Sequence, residues 1–149
     1  MESRKYPDRP IIGVGVCLLA EDSILLVKRA NPPLVGAWSL PGGTQKLGET
    51  VKECGVREIK EETGLDIIIA QTIDIMDSIH FDNDGAISYH YTLIDYIGKV
   101  VSGKLAPGDD ALDVQWFSRL EAINSVSWQE TRRIINLAFK MTRISKDKV

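Results

Sequence analysis

The segment from Thr50 to Thr63 constrains the fold of this 149-residue chain more than any other, because both of its ends predict one helix. Thr50 and Glu53 form the T-x-x-E pattern of a capping box, in which each side chain binds the other residue's backbone N–H. Gly64 follows at the position where a glycine commonly ends a helix. A helix with ends this well defined fixes which of its residues share a face.

Three glutamates lie on one side of this predicted helix. With successive residues about 100° apart around the axis, Glu58, Glu61 and Glu62 fall within an arc of about 100°. Cys54 and Gly55 share that arc, which predicts that it faces the protein. Crowded carboxylates repel one another or take up protons unless a cation is bound, and Mg²⁺ prefers such oxygen ligands together with substrate phosphates. The pattern favours a metal-binding face, with a solvated acidic surface as the alternative.

Apolar runs elsewhere predict a single α/β domain over residues 1–149, a mixed sheet sandwiched between helices. Five strands and a C-terminal helix are expected at Ile11–Ala20, Ile24–Arg29, Asp66–Ile75, Ile87–Ile97, Asp113–Phe117 and Trp128–Met141. The first two strands should form a hairpin. Polar, Gly- and Pro-containing segments predict loops at Ala30–Trp38, Ser39–Gly48 and Lys99–Ala111, and a flexible tail over residues 1–9.

Composition narrows the classes of partner. A net charge of −3 argues against nucleic-acid polymers and anionic membranes. Cys17 and Cys54 are too few for a disulfide framework, which favours the reducing cytoplasm. The apolar run Ile11–Ala20 is too short to cross a bilayer, so no membrane association is expected.

The helix and the loop before it carry a longer motif. Nine residues fit the pattern G-x5-E-x7-R-E-U-x-E-E-x-G-U, where U is a bulky aliphatic residue: Gly43, Glu49, Arg57, Glu58, Ile59, Glu61, Glu62, Gly64 and Leu65. This pattern resembles the Nudix box of the MutT-like hydrolases. The flanking residues 25–29 and 36–42 also resemble the family's approach to the box. The resemblance implies the Nudix fold and the hydrolysis of a diphosphate linkage in a small nucleotide-type substrate.

The resemblance also implies roles for the residues of the box. Glu58, Glu61 and Glu62 match the family's metal-binding carboxylates, and the carbonyl of Gly42 would be a further ligand for Mg²⁺, for which Mn²⁺ can substitute. Glu58 or Glu61 would act as the general base. The remaining matched residues would support the site: Gly43, Glu49 and Arg57. Cys54-Gly55 departs from the Ala-Ala that relatives often have, and is expected only to loosen packing. Lys46 replaces an acidic residue of many relatives.

Two residues outside the box are further candidates. Asp110 lies in a segment that resembles a late acidic loop of ADP-ribose-pyrophosphatase-like members, and is predicted to assist catalysis; an ordinary acidic turn is the alternative. Arg29 ends a strand and could bind a substrate phosphate, or simply be a surface residue.

The substrate is the least constrained of these predictions. The flanks favour ADP-ribose or a related nucleoside diphosphate derivative. A (deoxy)nucleoside triphosphate pyrophosphohydrolase and a non-catalytic nucleotide-binding regulator are the alternatives, and a homodimer is left open. The complete set of three glutamates argues against the regulator, since a binding module needs no reactive metal site.

Overall fold

The computed structural model describes residues 4–30 and 34–147, with side chains up to residue 143. Within this range ten elements follow one another along the chain: β1 (Ile11–Ala20), β2 (Ser23–Arg29), β3 (Trp38–Ser39), β4 (Gly42–Thr44), α1 (Val51–Thr63), β5 (Leu65–Phe81), β6 (Ile87–Gly103), β7 (Ala111–Ser118), α2 (Arg119–Ser125) and α3 (Gln129–Asp147).

The strands form one mixed sheet in the order β3-β2-β1-β6-β5, with β4 also paired to β1 and β7 to β2. β1 and β6 run parallel from Ile11 opposite Tyr91 to Leu18 opposite Gly98, whereas the other pairs are antiparallel. β1 is the central strand: its first half pairs with β4 and its last two residues with β2. The loop that precedes α1 is therefore hydrogen-bonded to the middle of the sheet.

Apolar side chains pack the sheet against helices on both of its faces. On one face, Ile59 of α1 packs with Val16, Leu18 and Ile67 of the strands. The opposite face carries a second cluster under α2 and α3, formed by Cys17, Ile24, Leu26, Ile97, Ala122, Val126, Ile134, Ile135, Ala138 and Phe139. Each fully buried large aliphatic side chain stabilises the fold by about 1.5–3 kcal/mol. The predicted α/β sandwich with a mixed sheet is confirmed.

Several element boundaries differ from prediction; β5 ends at Phe81 instead of Ile75, and α3 at Asp147 instead of Met141. The predicted loop Ser39–Gly48 contains the end of β3 and all of β4. The predicted loop Lys99–Ala111 is shorter than expected, since β6 continues to Gly103 and β7 begins at Ala111. α2 was not predicted, although Ser118 and Glu121 form a capping box at its start.

Gly55 corrects the expectation that Cys54-Gly55 loosens packing. Cys54 and Gly55 are both buried. A methyl group on Gly55 would lie 3.3 Å from side-chain atoms of both Val16 and Ile69. The missing side chain therefore allows α1 to approach the sheet closely, and leaves no extra room for a loop or ligand.

Two other expectations concern chain segments near the first strands. Residues 4–10 form no helix or strand, but the Tyr6 N–H donates to the Ser88 carbonyl (2.8 Å) and the Tyr6 hydroxyl to Asp82 (2.8 Å). Flexibility of residues 1–9 stays a prediction, and residues 1–3 and 31–33, the latter in the predicted loop Ala30–Trp38, lie outside the described range.

None of the described helices has the length and apolar character needed to cross a membrane.

Candidate active site

α1 holds the three glutamates in fixed positions along one helix. At its start, Glu53 N–H donates to the Thr50 hydroxyl (3.0 Å) and Thr50 N–H to the Glu53 carboxylate (3.1 Å), which completes the predicted capping box. At its end Gly64 has the left-handed conformation (φ 79°), which costs glycine little. The predicted helix is therefore present with the expected ends.

Glu62 is partly buried beside the loop that contains Gly42 and Gly43, which we call the glycine loop. Gly42 N–H donates to its carboxylate at 3.3 Å. The pKa of Glu62 is raised to about 8: burial, the neighbouring Glu58 and, to a smaller extent, Asp110 raise it, whereas the Gly42 hydrogen bond and the charge of Arg29 lower it. A carboxylate with so little compensation for its negative charge is the kind of group that a bound cation stabilises.

Glu58 lies against the same loop. A methyl group added to Gly43 would collide with the Glu58 carboxylate, so the absence of a side chain at Gly43 makes room for this group. The carboxylate accepts from the Arg57 guanidinium at 2.7 Å and is only 17% exposed. Gly43 and α1 together thus position Glu58 next to the glycine loop.

Arg57 connects the loop to the helix. Its guanidinium donates to both carboxylate oxygens of Glu49, at 2.6 and 3.0 Å, and to the backbone carbonyl of Thr44 at 3.1 Å. The Arg57 guanidinium lowers the pKa of Glu49 to about 2. Because this pair is bidentate and mostly buried, it fixes the loop against α1 more firmly than a surface ion pair would.

In the part of the chain that the structure describes, no three carboxylate, imidazole or thiol groups already surround one point as metal ligands would. Arg57 accounts for this, since it holds Glu58 at 2.7 Å and the more exposed Glu61 at 3.2 Å. Glu62 is turned to the Gly42 N–H instead. The predicted metal-binding residues are therefore close together, and two of them are paired with an arginine.

The loop between β6 and β7 packs against the end of α1, which the sequence did not predict. Ala106 N–H donates to the Thr63 carbonyl and Gly108 N–H to the Glu62 carbonyl, both at 2.9 Å. A side chain on Gly108 would collide with the backbone carbonyl of Glu61. These contacts bring Asp110 near enough to Glu62 to raise its pKa.

Arg29 supplies a positive charge near Glu62. It ends β2, and its charge lowers the pKa of Glu62. Arg29 Nε is the one fully buried side-chain nitrogen or oxygen atom without a hydrogen-bond partner in the described residues. A buried N–H without a partner is costly, so an acceptor on a bound ligand would stabilise it.

Comparisons with known proteins agree with this geometry. The NUDIX domain family matches residues 9–137. An ADP-ribose pyrophosphatase of Methanocaldococcus jannaschii is 36% identical over 138 residues, which cover 93% of this chain and 72% of the relative. A Bacillus subtilis protein with the provisional name 8-oxo-dGTP diphosphatase is 33% identical over 108 residues, 71% of this chain and 65% of that protein.

Solved structures support the same assignment at the level of the fold. An ADP-ribose pyrophosphatase from Streptococcus suis 89-1591 superposes with a TM-score of 0.70 at 24% identity, and the alignment covers 91% of this chain and 93% of that one. The fold, the spacing of the glutamates and the match over most of the chain lead to one conclusion: this protein belongs to the Nudix family and is a Nudix hydrolase.

Proposed function

We propose that the protein hydrolyses the diphosphate linkage of ADP-ribose, or of a closely related nucleoside diphosphate derivative, with Mg²⁺ as its cofactor and Mn²⁺ as a substitute. The observation that carries this proposal is the 36% identity to an ADP-ribose pyrophosphatase over 93% of the chain. We also propose a cytoplasmic enzyme, in agreement with the two free cysteines Cys17 and Cys54. A small nucleotide as substrate, rather than a nucleic-acid polymer, agrees with the net charge of −3.

The residues fit a divalent cation. Glu58, Glu61 and Glu62 offer hard oxygen ligands, and the Gly42 carbonyl belongs to the loop whose N–H already contacts Glu62. The raised pKa of Glu62 shows that negative charge there lacks compensation. When bound, Mg²⁺ would neutralise phosphate charge and lower the pKa of a water molecule.

The protein's own groups would divide the remaining work. Glu58 or Glu61 would accept the proton of the attacking water as general base. Arg29 would donate its unpaired N–H to a phosphate oxygen of the substrate. Gly43, Glu49 and Arg57 would hold the loop and Glu58 in register.

A substrate panel with Mg²⁺ tests the proposal, with products identified by mass spectrometry. We expect ADP-ribose to give AMP and ribose 5-phosphate, and chelation with EDTA to abolish turnover. The circular dichroism spectrum should not change on chelation, since a catalytic metal shared with substrate does not hold the fold together. Turnover that persists in EDTA would contradict the metal dependence.

A nucleoside triphosphate pyrophosphohydrolase is the second candidate, favoured by the similarity to the Bacillus subtilis protein. In the same panel this activity would release a monophosphate and pyrophosphate from a triphosphate. Binding of nucleotides without any turnover would instead support a regulator and contradict both enzymatic proposals.

Asp110 gives a separate prediction, because its charge acts on Glu62 from a different loop. We expect Asp110→Asn to lower kcat at least about tenfold with a smaller change in KM, as for loss of a group that orients water or accepts its proton. Asp109→Asn is the matched control, since it makes the same charge change at the adjacent exposed residue. Steady-state kinetics of both variants tests this role. Equal and small effects on kcat would show that Asp109 and Asp110 form an ordinary solvated turn.

A further inference from the structure

Asp95 is a buried carboxylate that the proposed hydrolysis does not use. It lies within β6 between Ile94 and Tyr96, and only 8% of its surface is exposed. Burial raises the pKa of Asp95 to about 7, with a smaller contribution from Asp74, while Arg133 lowers it. A carboxyl group this buried destabilises the fold unless something binds it.

The side chain of Asp95 points to the face of the sheet that carries α3. Successive side chains of a strand alternate between faces. Tyr96 packs with Cys54 of α1, whereas Ile97 packs with Ile134 and Ile135 of α3, so Asp95 shares the face of Ile97. A methyl group on Gly15 would lie 2.5 Å from Asp95 Oδ1, which places the carboxylate over this glycine.

The carboxylate of Asp95 lacks a hydrogen-bond donor in the part of the chain that the structure describes. Among residues 4–30 and 34–147, no N–H or O–H group donates to it. Arg133, the cation that acts on it, donates instead to Asp74 at 2.9 Å and to Glu130 at 2.9 Å. Arg29 Nε is the only fully enclosed side-chain nitrogen or oxygen atom without a hydrogen-bond partner in the described residues. The Asp95 oxygens also lack a partner there, so they are not fully enclosed. Asp95 is thus an unpaired acceptor that a small group can reach.

Asp95 is aligned with the glycine loop of the active site. Within the sheet, Gly42 lies opposite Gly15 and Gly15 opposite Asp95. Two strand spacings separate the Asp95 backbone from Gly42, or about 10 Å. Gly42 belongs to the edge strand β4 and contacts Glu62, so a nucleotide whose phosphates lie at this edge can place its base on the face of Asp95. Leu93 and Tyr91 continue the same face of β6, and their apolar surfaces suit a flat base better than a hydroxylated sugar.

We propose that Asp95 determines substrate specificity by accepting a hydrogen bond from the exocyclic amino group of the substrate's adenine. The inference rests on the proposed function, from which the adenine nucleotide comes. Asp95 would act as a binding residue, distant from the reacting phosphates. A buried acceptor rejects analogues that lack the matching donor, because it is then left unpaired.

A double-mutant cycle on nucleotide binding tests this role without metal or turnover. The ligands are AMP and purine riboside 5′-monophosphate, which differ by the amino group alone, and the protein is wild type or Asp95→Leu. We expect wild type to bind AMP about ten- to a hundredfold more tightly than the analogue, as for a hydrogen bond to a charged group. In Asp95→Leu the preference should fall to about one. Asp95→Asn should retain part of it, because the amide oxygen still accepts.

Asp77→Leu is the control, since Asp77 is an exposed carboxylate on the neighbouring strand β5. It should keep the wild-type preference. Asp95→Leu should fold, because the apolar side chain keeps the branching and the number of heavy atoms while it removes a buried carboxylate. Isothermal calorimetry gives the affinity of each protein for both nucleotides. The inference would be overturned if Asp95→Leu lost affinity equally for both nucleotides, or if the wild type did not bind AMP. If the wild type prefers AMP as expected but does not hydrolyse ADP-ribose, only the proposed function would be overturned.

Discussion

Glu62→Gln is expected to lower kcat for hydrolysis at least about a hundredfold while the fold is retained. The glutamine keeps the shape of the side chain and an oxygen that accepts from Gly42 N–H (3.3 Å in the wild type). It removes one negative charge from the proposed metal site, at a cost of at least about 3 kcal/mol of transition-state stabilisation. Steady-state kinetics at saturating Mg²⁺ measures the effect, and near wild-type turnover would refute the assignment of Glu62 as a ligand.

The same variant has an expected effect on stability in the absence of metal. The folded-state pKa of Glu62 is raised to about 8, above its ordinary value of 4.5, so the folded protein prefers the protonated form. The wild type should therefore lose stability as the pH rises from about 4.5 to about 8. Glu62→Gln lacks this loss and should be at least as stable at pH 8. Urea unfolding at pH 5 and pH 8 with EDTA compares the two proteins.

Gly43→Ala is expected to lower activity by about a hundredfold with little loss of stability. The added methyl group would collide with the Glu58 carboxylate, which is the mobile end of a side chain and can move away. Gly43 also lacks a positive φ, so alanine fits its backbone. Displacing a catalytic group by about 1 Å can cost about a hundredfold in rate. Kinetics should therefore show the loss of activity, whereas thermal unfolding should show a nearly unchanged Tm.

Gly85→Ala is the matched control for that substitution. Gly85 has φ 84° in the turn between β5 and β6, where a new methyl group would meet no atom within 4 Å. Left-handed backbone costs alanine about 1–2 kcal/mol, so Tm should fall while kcat stays at the wild-type value. Should Gly43→Ala keep full activity, Glu58 would not need its present position for catalysis.

Local sequence signals were sufficient for α1 and the first hairpin. The capping residues Thr50 and Glu53 and the terminal Gly64 act within a few residues of the helix ends, and no distant contact opposes them. β1 is likewise predicted to the residue, because its apolar run is buried under helices on both faces of the sheet. Where local preference and tertiary packing agree, sequence is enough.

The long hairpin of β5 and β6 was predicted too short. β5 carries register shifts near Ile67, Gln71 and Asp74, and each shift interrupts the alternation on which strand prediction relies. Most of its outer half is exposed or only partly buried. Both strands extend to 17 residues because they pair with each other, which is a property of the pair rather than of either segment.

The candidate site likewise has features that the sequence predicts and features that it does not. The glutamates, the glycines and the Glu49–Arg57 pair follow from one motif of fixed spacing. The packing of the loop between β6 and β7 against α1 and the burial of Asp95 depend on tertiary neighbours, and no motif encodes them. One signal for Asp95 was present: it is a lone charge in the apolar run from Leu93 to Ile97. A charge in such a position usually has a specific partner.

The anchoring of the loop between β6 and β7 to α1 has a consequence for the dynamics of the enzyme. The amides of Ala106 and Gly108 bond to carbonyls in the last turn of the helix that carries Glu61 and Glu62. Separating them would expose unpaired backbone groups on both sides, so loop and helix end should open as one cooperative unit. Asp110 therefore cannot move independently of α1. Thermal fraying that moves Asp110 away from the site also loosens the helical turn that carries the glutamates.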